Sequence, residues 1–234
     1  MLRSSMELGG NGPFIVLPDA DLDVAVSSAM IAKLRNGGQS CTAANRFYVH
    51  SSIVDEFVDR FAAAMREAKV GYALDEGVTV GSMITAKARE DVLELVEQAV
   101  EAGGKIVIGG DAVDGDGYFM NPTLIRDVPA DARCMTEEIF GPVAPIATFE
   151  TVDEAVELAN ASEFGLVAFV HSTDLKQAFA VADRLETGMV GINRGIVSDP
   201  AAPFGGWKHS GLGREGGHEG LLEYLETKYI AASW

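Results

Sequence analysis

Val143-Ala-Pro-Ile-Ala-Thr-Phe-Glu-Thr-Val-Asp-Glu-Ala-Val-Glu-Leu-Ala-Asn-Ala-Ser-Glu-Phe-Gly-Leu-Val-Ala-Phe-Val-His-Ser-Thr-Asp-Leu-Lys-Gln-Ala-Phe-Ala-Val-Ala-Asp-Arg-Leu-Glu-Thr-Gly-Met-Val-Gly-Ile-Asn193 decides the fold. Its short apolar runs predict strands at Val143 to Phe149, Leu166 to His171 and Met189 to Asn193. Between them, 3.6-residue periodicity predicts helices over Val152 to Asn160 and Leu175 to Glu186. Strands alternating with helices imply an α/β fold, a doubly wound and mostly parallel sheet flanked by helices.

Upstream the alternation continues. Leu22, Ala25, Val26, Ala29, Met30 and Leu34 recur at helical spacing within Asp21 to Arg35, with Asp19 or Asp21 available as cap and Gly37-Gly38 as terminator. A strand over Arg46 to His50 follows, then a helix over Ile53 to Lys69 opened by Ser52, with Asp55 completing a weak capping box. Thr85 to Ala102 reads as helix, Lys105 to Ile108 as a short buried strand, and Tyr118 to Val128 as an extended edge because it contains Pro122. From Ser198 to Gly217 the pattern lapses into a glycine-rich loop, too long for an ordinary connection. A helix near Glu219 to Leu225 and a strand near Tyr229 to Ala232 finish the chain.

With 234 residues, 47% apolar and 23% charged, the chain can bury its own core without disulfides. Eighteen basic against 35 acidic residues give a formal charge of −17, which disfavours nucleic acid and anionic membrane surfaces as partners. The same field opposes an anionic substrate, so such a ligand needs a dedicated local cation. Cys41 and Cys134 are too few for a disulfide framework and suit a reduced, cytoplasmic setting; no secretory or membrane-spanning segment is read. His50, His171, His209 and His218 show no metal-ligand spacing, so no metal site is expected.

Asn36-Gly-Gly-Gln-Ser-Cys41 sets a thiol in a glycine-rich loop behind a helix, where main-chain amides can converge on an oxyanion. A lone cysteine is more often a small buried apolar residue, but the polar neighbours of Cys41 weigh against that. The helix ahead of it aims its partly negative end at the loop, which raises the thiol pKa. Glu7, before the Gly9-Gly10 pair, is a candidate general base on water, although a single Glu is more commonly a solvated surface group.

Met6-Glu-Leu-Gly-Gly-Asn11, Gly38-Gln-Ser-Cys41, Glu137-Glu-Ile-Phe-Gly-Pro142 and Pro203-Phe-Gly-Gly-Trp-Lys-His-Ser-Gly-Leu-Gly-Arg-Glu215 together resemble the NAD(P)-dependent aldehyde dehydrogenase superfamily. The resemblance covers essentially the whole chain but only the C-terminal, catalytic half of a typical member. It is closest to succinate-semialdehyde dehydrogenases, through Ala32-Lys-Leu-Arg-Asn36, Val190-Gly-Ile-Asn193, Gly195-Ile-Val-Ser198 and Tyr224-Leu-Glu-Thr-Lys-Tyr229.

That resemblance implies residues 1–9 as the last strand of a cofactor domain, 10–214 as the catalytic domain and 215–234 as a C-terminal helix and oligomerisation strand. It implies that Cys41 attacks an aldehyde, that a thioester forms with hydride passing to NAD or NADP, and that Glu7 activates the hydrolytic water. Glu138, Phe140, Leu8 and Gly9 match cofactor-binding positions, and Arg35 and Ser198 match those that hold a substrate's distal carboxylate, as in succinic semialdehyde. It also implies a homo-oligomer. The chain departs from many relatives at Ala43, where a second cysteine is often found, and at Thr42, often apolar.

Two other functions fit the same residues. A Cys41 thioester without hydride transfer gives a cofactor-independent thiol esterase or acyl transferase. A truncated domain that only folds and associates needs no chemistry. Gly211-Leu-Gly-Arg-Glu-Gly216 satisfies the G-x-G-x-x-G pattern, but too little chain follows it for a dinucleotide-binding βαβ unit, and its glycines are expected to serve close backbone approach.

Overall fold

The computed structural model describes residues 3–234; residues 1 and 2, which open the expected 1–9 segment, lie outside the described residues. Seven strands form the central sheet in the order Met189–Ile192, Val167–His171, Gly12–Val16, Ala44–His50, Val143–Phe149, Thr123–Arg126, Lys105–Ile108. All neighbours are parallel except the last pair. The α/β, mostly parallel architecture therefore stands, with helices on both faces.

Alternation along the Gly12–Val16 strand shows why both faces are covered. Phe14 and Val16 point into a core with Leu22, Ala25 and Ala29 of one helix and Phe57, Phe61 and Met65 of another. Ile15 and Leu17 point the opposite way, toward Val92, Leu95, Ala155, Val156 and Val181. A strand buried on both sides reads as a continuous apolar run. This central strand, Gly-Pro-Phe-Ile-Val, has no counterpart in the elements read from the sequence.

Several local readings are corrected. Lys105–Ile108 is a strand but not a buried one: it is the sheet edge, and Ile106 is 43% exposed. Thr123–Arg126 is interior, because Pro122 stands just ahead of the ladder and removes no hydrogen bond from it. The second helix runs Val54–Arg66 without a side-chain cap. Ser52 cannot supply one, since its hydroxyl is engaged with His50 Nδ1 at 2.8 Å.

Helix Leu22–Leu34 is capped by Asp21, whose Oδ1 accepts from the Asp23 and Val24 amides. Asp19 instead accepts from Ser172, Thr173 and the Asp174 amide, tying two loops together. The helix read over Leu175 to Glu186 stops at Ala182, and the last one spans Gly217–Leu222.

The expected strand at Tyr229–Ala232 is not formed within the chain; residues 225–234 carry no helix or strand and are exposed. A strand exists only where another edge supplies its hydrogen bonds, and no pairing within the chain does so here. Inside the glycine-rich loop, Trp207–Lys208 pairs with Phe164–Gly165, and Gly211–Leu212 pairs with Met6–Glu7. Among the described residues no helix is long and apolar enough to cross a membrane.

Candidate active site

Three adjacent parallel strands of the sheet, Gly12–Val16, Ala44–His50 and Val143–Phe149, are each preceded by a segment that carries one candidate residue: Glu7, Cys41 and Glu138 respectively. The site therefore assembles at the amino ends of these strands. Sequence separations of about a hundred residues collapse because the strands are neighbours.

Helix Leu22–Leu34 runs into a single 3-10 turn, Arg35–Gly38, in which Asn36 and Gly37 adopt left-handed backbone angles. Asn36 tolerates them and bridges its Nδ2 to the Gln39 carbonyl at 2.8 Å. Gly38, at φ +75°, lies so close to Gly141 that a β-carbon would collide with the Gly141 carbonyl. Gln39 braces the far side, accepting from the Ile84 amide at 2.9 Å and donating to the Ser82 carbonyl at 3.3 Å.

The loop presents Cys41 half-buried. Burial pushes its thiol pKa up, Glu7 and Glu138 push it further, and the main-chain N–H groups of Cys41 and Thr42 oppose the rise. The upward direction agrees with the reading of the sequence, but desolvation and two carboxylates cause it. A main-chain amide beside the sulfur is the kind of donor an oxyanion there requires. Cys134 is different: it is buried among apolar side chains, its thiol is pushed up to about 11, and it belongs to the core.

Glu7 sits in the short strand paired with Gly211–Leu212. Burial raises its carboxyl pKa, Glu215 and Glu138 add to the rise, and the facing Cys41 thiol opposes it. Its Oε1 is buried without a hydrogen-bond partner. A partly buried carboxylate with a raised pKa, facing a thiol, is arranged as a base for a water attacking a sulfur-bound acyl carbon. Glu215 was not singled out from the sequence; only its place in the loop that reaches back to Met6 and Glu7 brings it near.

Glu138 is partly buried, and its Oε1 accepts from the Gly10 amide at 3.0 Å. Burial raises its pKa, while the Gly10 amide and Lys33 lower it. Gly9 fits against this carboxylate, since a β-carbon there would stand 2.9 Å from Oε2. Phe140 holds a left-handed φ of 52° and is 40% exposed, so its ring stands out from the loop. Glu138, Ile139 and Phe140 line one side of a cleft of about 530 Å³ with Lys87, Val92 and Arg133. A carboxylate and an exposed ring on one rim fit a ribose diol and a planar ring system. Leu8 is half exposed, and its amide donates to the Ser210 carbonyl.

Arg35 is exposed and donates from Nη2 to Thr42 Oγ1 at 3.2 Å, which puts its guanidinium beside the residue that follows Cys41. Thr42, the polar departure, is thus the link between them. Ser198 lies in an exposed segment before Pro200, and no hydrogen bond joins it to Arg35 or Thr42. Among the described residues no group of three or more His, Cys, Asp or Glu is placed to hold a metal ion.

One further group was missed. Lys33 is completely buried, with Nζ donating to Asn45 Oδ1 at 2.9 Å and to the Gly141 carbonyl at 3.1 Å. Its sequence signal was available: it falls four residues after Ala29 and seven after Val26, within the apolar stripe.

The aldehyde dehydrogenase family model matches residues 1–230. A succinate-semialdehyde dehydrogenase of Paenarthrobacter nicotinovorans is 55% identical over 230 residues, 98% of this chain and 51% of that protein. A glutarate-semialdehyde dehydrogenase of Pseudomonas putida is 48% identical, covering 99% of this chain and 48% of that protein. The crystal structure of an Escherichia coli NADP-dependent enzyme superposes with a TM-score of 0.96 at 48% identity, over 97% of this chain and 47% of that one. The chain spans about half the length of the curated relatives it matches. It belongs to the aldehyde dehydrogenase family.

Proposed function

We propose that this chain carries the catalytic half of an NAD(P)-dependent aldehyde dehydrogenase acting on a short aldehyde with a distal carboxylate, succinic semialdehyde first. The observation that supports it is the facing pair Cys41 and Glu7, a thiol with main-chain amides around it and a partly buried carboxylate whose Oε1 has no hydrogen-bond partner. Cys41 adds to the aldehyde carbon, and the Cys41 main-chain amide is a donor to the new oxyanion. Glu138 and Phe140, with Leu8 and Gly9, form the edge that would hold the nicotinamide ribose and ring. A bound nicotinamide supplies the hydride acceptor. Glu7 then takes a proton from the water that attacks the Cys41 thioester, releasing the acid and restoring the thiol.

Arg35 is the local cation that a −17 chain needs for an anionic substrate. The glutarate-semialdehyde dehydrogenase relative argues that the pocket class is a semialdehyde carboxylate of variable length. Ser198 completes this subsite only if its loop closes on Arg35.

The division into residues 1–9, 10–214 and 215–234 and a homo-oligomeric state belong to the same proposal. Exposed Tyr224, Tyr229 and Ile230 in the terminal segment support association between copies, which light scattering checks. Two free cysteines suit a reducing compartment such as the cytoplasm.

The deciding experiment follows nicotinamide reduction with succinic semialdehyde and either NAD or NADP, beside a Cys41→Ala control. Turnover that disappears in the control supports the proposal, and turnover that survives contradicts it. A folded chain that gives none is a half that works only with the remainder its relatives possess.

A further inference from the structure

A fully buried lysine is costly, and a protein keeps one only where its charge or its donors are used. Lys33 sits on the last turn of the helix that delivers Cys41, in a core otherwise made of Leu22, Ala25, Ala29 and Phe residues. Its donors reach the Asn45 side chain, one strand over, and the Gly141 carbonyl, which closes the Glu138–Phe140 segment. Gly38 of the nucleophile loop packs on that same Gly141 carbonyl. One carbonyl thus meets both the ammonium and the turn before Cys41. Beyond it lies Glu138, whose carboxylate grips the Gly10 amide three residues after Glu7.

We propose that Lys33 is a positioning residue: its buried amine locks the Glu138–Gly141 segment onto the nucleophile loop and so seats the Glu138 carboxylate on the Gly10 amide. Cys41, Glu7 and Glu138 are thereby held in one register by a group that touches no reactant. The role deepens the functional reading above and rests on it for its meaning, but not for its test.

The electrostatics agree with the geometry. Burial brings the Lys33 pKa down to about 7 and Glu138 pulls it back up; reciprocally, Lys33 lowers the Glu138 value that burial raises. The Gly10 amide also lowers the Glu138 value, and Glu138 in turn raises those of Glu7 and Cys41. Two opposite charges in one poorly solvated site stabilise each other's ionised forms.

The experiment uses the chain itself, without substrate or cofactor, by NMR. In the wild type the Gly10 amide proton shift follows the titration of the Glu138 carboxyl. In Lys33→Met that midpoint moves upward by about one pH unit. In Glu138→Gln, which keeps an acceptor for Gly10, the Lys33 side-chain midpoint falls by a comparable amount, as reciprocity demands. Where Lys33→Met does not fold, the Glu138→Gln arm decides alone. A Gly10 shift that ignores pH, or midpoints that stay put in the folded variants, overturns the proposal. Neither result depends on whether the chain oxidises an aldehyde, so failure here is distinguishable from failure of the functional reading.

Discussion

Glu7 and Gly211 face each other across a two-residue antiparallel ladder, although 204 positions separate them in the chain. Gly211 holds φ +129°, and a β-carbon there would collide with the Met6 carbonyl. The strand that carries Glu7 is thus seated by the glycine-rich tail, with the Leu8 amide bonded to Ser210 beside it. Gly211→Ala is expected to cost about 1–3 kcal/mol for the backbone conformation alone. Urea unfolding measures the loss, and a variant as stable as the parent would show that the ladder does not hold Glu7.

The carboxylates around the sulfur make a second expectation. Glu7 raises the thiol pKa, so Glu7→Gln removes a negative neighbour and lowers it. Iodoacetamide labelling of Cys41 at pH 8, located by peptide mass, should accelerate about threefold, the equivalent of half a pKa unit. Cys134, raised to about 11 by burial, should label slowly in both proteins. Slower labelling of Cys41 in Glu7→Gln would contradict the arrangement.

His171 is 1% exposed, stacked on Phe14 at 4.4 Å, with both ring nitrogens lacking partners. Burial drops its pKa from 6.5 to about 4, so the folded state resists protonation while the unfolded chain accepts it. Stability contributed by the neutral ring is full above pH 6.5 and is lost as pH falls toward 4, at up to about 1.4 kcal/mol per unit. His171→Leu should flatten this limb of a Tm-against-pH curve. An unchanged slope would place the acid sensitivity elsewhere.

Arg46 is buried at 1% exposure and donates to the carbonyls of Asn11, Leu158 and Ala159, and to Tyr48 Oη. It closes the end of helix Val152–Asn160 and anchors the segment that follows Glu7. Arg46→Met leaves several buried acceptors without donors and should destabilise by about 3 kcal/mol or more. A loss below about 1 kcal/mol in denaturant titration would mean water replaces it.

The later strands and helices were legible because each carries its own periodicity, and Cys41 and Glu7 because their motifs are contiguous. The Gly12–Val16 strand was not, since Gly12 and Pro13 at its start weaken a strand signal while its burial on both faces erased alternation. Lys33 and Glu215 act through neighbours that only the sheet order and the returning loop supply. The terminal strand shows the opposite limit: apolar β-formers at Tyr229–Ala232 state a preference, and pairing requires an edge the chain does not offer them.

The central claim is that Cys41 takes the acyl group and Glu7 discharges it, and it is tested most directly by intact-protein mass spectrometry with an activated ester such as p-nitrophenyl acetate. The wild-type chain should release nitrophenol repeatedly without accumulating adduct. Glu7→Gln should trap one acetyl group, mapped to Cys41, and Cys41→Ala should take none. Acetylation elsewhere, or Glu7→Gln turning over as fast as the parent, would contradict the account.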